Sequence, residues 1–111
     1  MVGEALELRR VRRPAAEPPG EGVLTVMGLA QFMGVASIDA ARGAAVLDAA
    51  HRTIEREMGR ALPMNLPHNL AQAERLLAAQ LLILGLTAPL PTESLPARVR
   101  YFIMLAQGGR R

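Results

Sequence analysis

From Leu76 to Leu86 the chain is apolar at every position except Gln80, a run of eleven residues. As a helix the run spans roughly 16 Å, well short of the roughly 30 Å of a bilayer's hydrocarbon core. It therefore predicts a helix buried inside a protein or between proteins, with no membrane partner. Apolar side chains facing all round a helix need cover on more than one side. Other helices must supply that cover, because half of the residues are apolar but only 3% are aromatic and none is Trp. A core of Leu, Ala, Val, Ile and Met follows, and Ala and Leu favour helices while strong strand formers are scarce. At 111 residues the expectation is one all-α domain, a small bundle of about four helices around one modest core.

Residues 9–22 (RRVRRPAAEPPGEG) are charged, rich in Pro and Gly, and without period. Residues 1–22 thus read as a flexible N-terminal arm, 23–109 as the helical domain and 110–111 as a basic C-terminus. Thr25 is placed to cap a short helix over 26–33, and Gly34 to close it in the left-handed conformation. Ser37 or Asp39 starts the longest helix, which stops at Gly59. Within it Val46, Ala49, Ala50, Thr53, Ile54 and Met58 form an apolar stripe, with Asp48, Arg52, Glu55 and Arg56 on the wet side.

The third helix is expected over about 66–86, with Pro67 in its first turn. Its first half is one-sided through Leu66, Leu70, Ala73 and Leu77. In its second half Leu76, Leu77, Leu81 and Leu84 are expected to face inward, leaving Leu82, Ile83 and Leu86 uncovered as candidate subunit-interface residues. A loop with Pro89 and Pro91 follows. Ser94 then caps a last helix striped by Leu95, Val99, Phe102, Ile103 and Ala106 and ended by Gly108 and Gly109.

Charge is uneven along the chain. Residues 1–24 hold four Arg and four Glu, residues 25–93 five Arg and six acids, and residues 94–111 four Arg and no acid. Arg98, Arg100, Arg110 and Arg111 are therefore the candidates to meet an acidic protein surface or DNA phosphates. Glu4 and Glu7 argue against a cleaved secretory leader, and the absence of cysteine excludes disulfides, thiolate metal sites and thiol nucleophiles.

Tests for chemistry find little. His51 and His68 lack the spacing of a helical zinc pair, and His51 with Glu55, four apart, reads as an exposed pair on a helix surface. Ser37 and Ser94 read as helix caps, outside any Gly-x-Ser-x-Gly turn. Glu55 and Glu57, two apart, point to different sides of a helix and cannot work as a close acid and base. No catalytic residue, cofactor or metal is expected, and the chain reads as a protein that acts by associating with other macromolecules.

Residues 29–42 (LAQFMGVASIDAAR) have the outline of a helix-turn-helix, which makes a small DNA-binding protein the alternative function. A recognition helix starting at Ser37 would, however, offer the major groove Ile38, Asp39, Ala40, Ala41, Arg42 and Gly43, of which only Arg42 suits base or phosphate contact.

Read in order, ALELRRVRRPAAEP (5–18), LTVMGLAQFMGVAS (24–37), EREMGRAL (55–62), LPHNLAQAERLLAAQLL (66–82) and the Leu95-Pro96-x-x-Val99 start of the final helix cover nearly the whole chain. Their order and lengths resemble the head-to-tail connector, or adaptor, proteins of long-tailed double-stranded DNA phages and gene transfer agents. Gly59 and Arg60 stand at the family's corner after the long helix, and Gln72 and Ala73 at its Gln-Ala pair. The basic residue usual in the family's short first helix is missing. The resemblance implies a virion protein, assembled in the bacterial host cytoplasm, that forms a dodecameric ring on the portal protein. It further implies a head-completion (stopper) or tail protein as neighbour, and double-stranded DNA passing through the centre with non-specific contacts.

Overall fold

A computed structural model describes residues 23–108. The chain is all-α: α1 is Val26–Met33, α2 Ala40–Met58, α3 His68–Leu84 and α4 Ala97–Ala106, with a 3-10 turn over Thr92–Ser94 and no strand among the described residues. The arm over 1–22, and Gly109, Arg110 and Arg111, lie outside them. No helix among the described residues is long and apolar enough to cross a membrane.

The helix ends follow from local chemistry. Thr25 Oγ1 accepts from the Gly28 N–H at 2.9 Å, and Asp39 Oδ2 from the Arg42 N–H at 3.0 Å, so each satisfies a donor that the first turn leaves open. α2 therefore starts behind Asp39, not Ser37. Two starts differ from the expectation for one reason. Leu66 and Leu95 each precede a proline, whose ring disfavours the helical conformation for the residue before it. Pro67 and Pro96 then become the residues flanking α3 and α4, both with φ −60°. Ser94, expected as the cap of the last helix, instead ends the 3-10 turn.

α3 is the centre of the bundle. It packs against α2 and against α4, while α1 touches both α2 and α3. Leu70, Ala73, Leu77, Ala78 and Leu81 of α3 are buried with Val46, Ala49, Ala50 and Ile54 of α2 and Val99 and Ile103 of α4. Alanines on both sides of the α2–α3 seam let the two backbones approach closely, and leucines fill the space around them. Leu62, Leu66, Leu90 and Leu95 extend the core under the two connections.

One expectation fails inside this core. His51, taken from the spacing as part of an exposed pair with Glu55, is 6% exposed and meets Glu74 of α3. The stripe drawn over α2 was too narrow: His51 lies between Ala50 and Thr53 on the side that α3 covers.

Gly43 faces α1 so closely that a Cβ there would lie 2.6 Å from Val26 Cγ1 and 2.9 Å from Val26 Cγ2. Val26 is β-branched and stiff at χ1, so it cannot swing clear. Replacing Gly43 with Leu is expected to push α1 off α2 and to lower stability by about 1 to 3 kcal/mol, despite the better helix propensity of Leu. Urea unfolding of the two proteins measures this, and an unchanged midpoint would show that α1 yields without cost.

Candidate functional site

The end of α3 runs out past its neighbours. Residues 83–89 are exposed without a break, and they include Ile83 at 71%, Leu84 at 53% and Leu86 at 43% exposure. Gly85 ends the helix there at φ 75°, a left-handed conformation that glycine adopts without steric penalty. Its turn is closed by the Leu86 N–H donating to the Leu81 carbonyl at 2.9 Å, which fixes Leu86 beside the last helical turn.

Of the three expected interface residues, Ile83 and Leu86 are open to solvent, whereas Leu82 is half-buried and packed against the core. Leu84 goes the other way. Its spacing from Leu77 and Leu81 places it on the inward face, but an inward face is buried only where another element stands opposite, and the described residues do not cover it at Leu84. The apolar end is thus Ile83, Leu84 and Leu86.

A second apolar surface surrounds α1, and the sequence reading passed over it. Met27 is 72% exposed, and Val23, Phe32 and Val35 are also open. On one side of α1, Val26, Met27, Ala30, Val35 and Ile38 line a groove of about 440 Å³. On the other, Leu24, Phe32 and Ala71 help to line a concavity of about 450 Å³, where the Arg75 guanidinium stands 5.6 Å from the centre of the Phe32 ring. The signal was present: only Gln31 is polar in VMGLAQFM, so a helix of eight residues had more apolar surface than two neighbours can cover. Tyr101 and Met104 add exposed apolar surface on α4.

Of the basic candidates, the two among the described residues do not converge. Arg98 and Arg100 are both exposed, but two residues apart on a helix they leave it in different directions. Arg100 is also engaged: its guanidinium donates to the carbonyls of Leu95 at 3.2 Å and Thr92 at 2.9 Å, which pins the 3-10 turn to α4. That turn is held from α2 as well, by Glu57, which accepts from the Thr92 hydroxyl at 2.6 Å. Burial alone would raise the Glu57 carboxyl, but the Thr92 hydroxyl, Arg56 and Arg100 outweigh it and hold the group below the usual carboxylate range. Glu55, two residues earlier, turns instead to the Leu62 N–H at 2.8 Å, so the two carboxylates are separated as their spacing predicts.

Residues 29–42 take the form of the end of α1, a six-residue turn and the start of α2. The first turn of α2 presents Ala40, Ala41 and Arg42 to solvent, and Asp39 caps it with a carboxylate. Among the described residues no group of His, Cys, Asp and Glu has the makings of a metal site. Comparison of the chain with protein-family models, with curated proteins and with solved structures finds no match.

Proposed function

We propose that this chain is a non-enzymatic assembly subunit, and that its role is that of a head-to-tail connector: a ring of copies seated on a portal protein, followed by a stopper or tail protein, with DNA passing through the centre. The observation that carries the proposal is the uncovered apolar end of α3, Ile83, Leu84 and Leu86, on a helix otherwise enclosed. Burying each of these side chains between subunits is worth up to about 1.5 to 3 kcal/mol. Ordering and lost rotational freedom consume much of that, so the contact forms best where a portal holds the copies close together. A closing ring needs a head-to-tail contact between different surfaces. The groove along α1, lined by residues that do not include any of α3, is the apolar surface available to receive the α3 end of a neighbouring copy.

The connector reading rests on the sequence resemblance together with this surface. The helix-turn-helix alternative gains no support from the first turn of α2, whose small side chains would offer a groove little to read.

Replacing Ile83 with Asp should leave helical content and unfolding nearly untouched, within about 0.5 kcal/mol, because the side chain is already in water. Assembly, followed by light scattering at increasing concentration and by electron microscopy with the portal, should be lost. Normal assembly of the variant would remove the α3 end from the interface. For DNA, any affinity should be indifferent to sequence and fall steeply with salt, and replacing Arg98 with Ala should reduce the salt slope by about one. A footprint on one specific sequence would favour the DNA-binding alternative instead.

A further inference from the structure

Every atom that the ring nitrogens of His51 face is an acceptor. Nδ1 lies 2.7 Å from Glu74 Oε1 on α3. Nε2 lies 3.2 Å from the Leu62 carbonyl oxygen in the α2–α3 connection and 3.6 Å from Glu55 Oε2, one turn along α2. A neutral imidazole carries a single N–H, so it can serve only one of these directions. The Leu62 carbonyl never donates. Two hydrogen bonds therefore require two protons among His51 and Glu74, either an imidazolium against a carboxylate or a neutral ring against a protonated Glu74. In both cases the pair holds one proton more than a neutral histidine and a free carboxylate would.

The same cluster grips the connection from both sides of one peptide unit pair. The Leu62 N–H donates to Glu55 at 2.8 Å while its carbonyl accepts from His51. The Leu62 side chain is buried, as is that of Leu66 four residues on. His51 is 6% and Glu74 4% exposed, so water cannot replace a lost bond without the connection moving.

We propose that His51, Glu74 and Glu55 form a proton-loaded clasp that locks the α2–α3 connection onto the helix pair and releases it when a rise in pH removes the proton. The groups acting on His51 are Glu74 from α3, Glu55 from its own helix and the Leu62 carbonyl from the connection, and no cation is among them. Burial lowers the His51 ring, but the bond to Glu74, the bond to Leu62 and the two carboxylate charges outweigh it, so its value is raised. Burial raises Glu74, against the opposing bond and charge of His51.

The sign follows directly. A histidine raised in the folded state contributes stability that is complete below its ordinary value of about 6.5 and lost as the pH rises through the folded value. The raised Glu74 acts in the same sense, since the folded chain also binds that proton more tightly. Deprotonation leaves two carboxylates beside a neutral ring in a buried site, and the connection with Leu62 and Leu66 is what gives way.

The test is unfolding of the full chain in urea between pH 6 and pH 9, beside the variant Glu74→Gln. The native chain should lose stability as the pH rises, with the folding constant falling by up to tenfold per pH unit. In the variant, the Gln amide donates to Nδ1 of a neutral ring whose Nε2–H still serves Leu62, so both bonds survive without the extra proton and the slope should fall to less than half. A native chain with flat stability over this range, or a variant with the native slope, overturns the clasp. If the variant does not fold, nitrogen-15 NMR of the native chain decides: a change at the His51 ring nitrogens, from loss of the ring proton or of the Glu74 hydrogen bond, with a midpoint above that of an exposed histidine supports the clasp, and one at or below it overturns it.

Discussion

The fold depends on the enclosure of α3. A helix that is apolar on most of its circumference cannot rest against one partner, so the chain surrounds it with α2, α4 and α1. Each neighbour covers a sector, and α2 and α3 both bring small residues to the core, Ala49 and Ala50 from one and Ala73 and Ala78 from the other, all buried. With so few aromatic side chains, the core gains its density from close backbone approach and interdigitated leucines. This arrangement leaves α1 and α4 with little to hold them except α3 and α2.

Packing of this kind fixes the helices but says little about the connections, and polar side chains of α2 supply what is missing. Residues 51, 53, 55 and 57 alternate between two tasks. His51 and Glu55 hold the α2–α3 connection at Leu62. Thr53 accepts from the Leu90 N–H at 3.3 Å, and Glu57 accepts from Thr92, so the α3–α4 connection is tied to the same helix. Thr53 is fully buried, and its hydroxyl also donates to the Ala49 carbonyl at 2.8 Å, which leaves no polar atom of that side chain idle. One helix thereby anchors both long connections, through two pairs whose members are four residues apart and which are offset from each other by two.

What was legible in the sequence was local. Thr25, Asp39, Gly34 and Gly59 mark helix ends because each acts on backbone groups within four residues of itself, whereas Gly85, expected inside the third helix, ends it at Leu84. The prolines were read less well: Pro67 and Pro96 shifted two helix starts through the residue before them. Long-range pairing was invisible. His51 and Glu74 are 23 residues apart, and nothing in either neighbourhood announces the other. The surfaces were legible in part. Excess apolar residues in the third helix pointed to Ile83 and Leu86, but choosing between Leu82 and Leu84 required knowing where the neighbouring helices end.

That last point explains why core and candidate interface coexist on one helix without conflict. Up to Leu81 the register of α3 is set by its neighbours, and a change there is felt as a cavity or a clash. Beyond it Leu82 still packs against the core, whereas Ile83, Leu84 and Leu86 are left exposed by the described residues and carry little weight in the folded subunit. Such side chains lower the solubility of an isolated domain and return nothing to its stability. Their position at a rigid helix end, closed by the Gly85 turn, also means that little conformational entropy is lost when a partner covers them. The same reasoning separates this end from the α1 surface. Only Leu29 and Ala30 of α1 are buried, so α1 is held by few contacts, and a partner seated in its groove would stabilise the subunit as well as join it to the next.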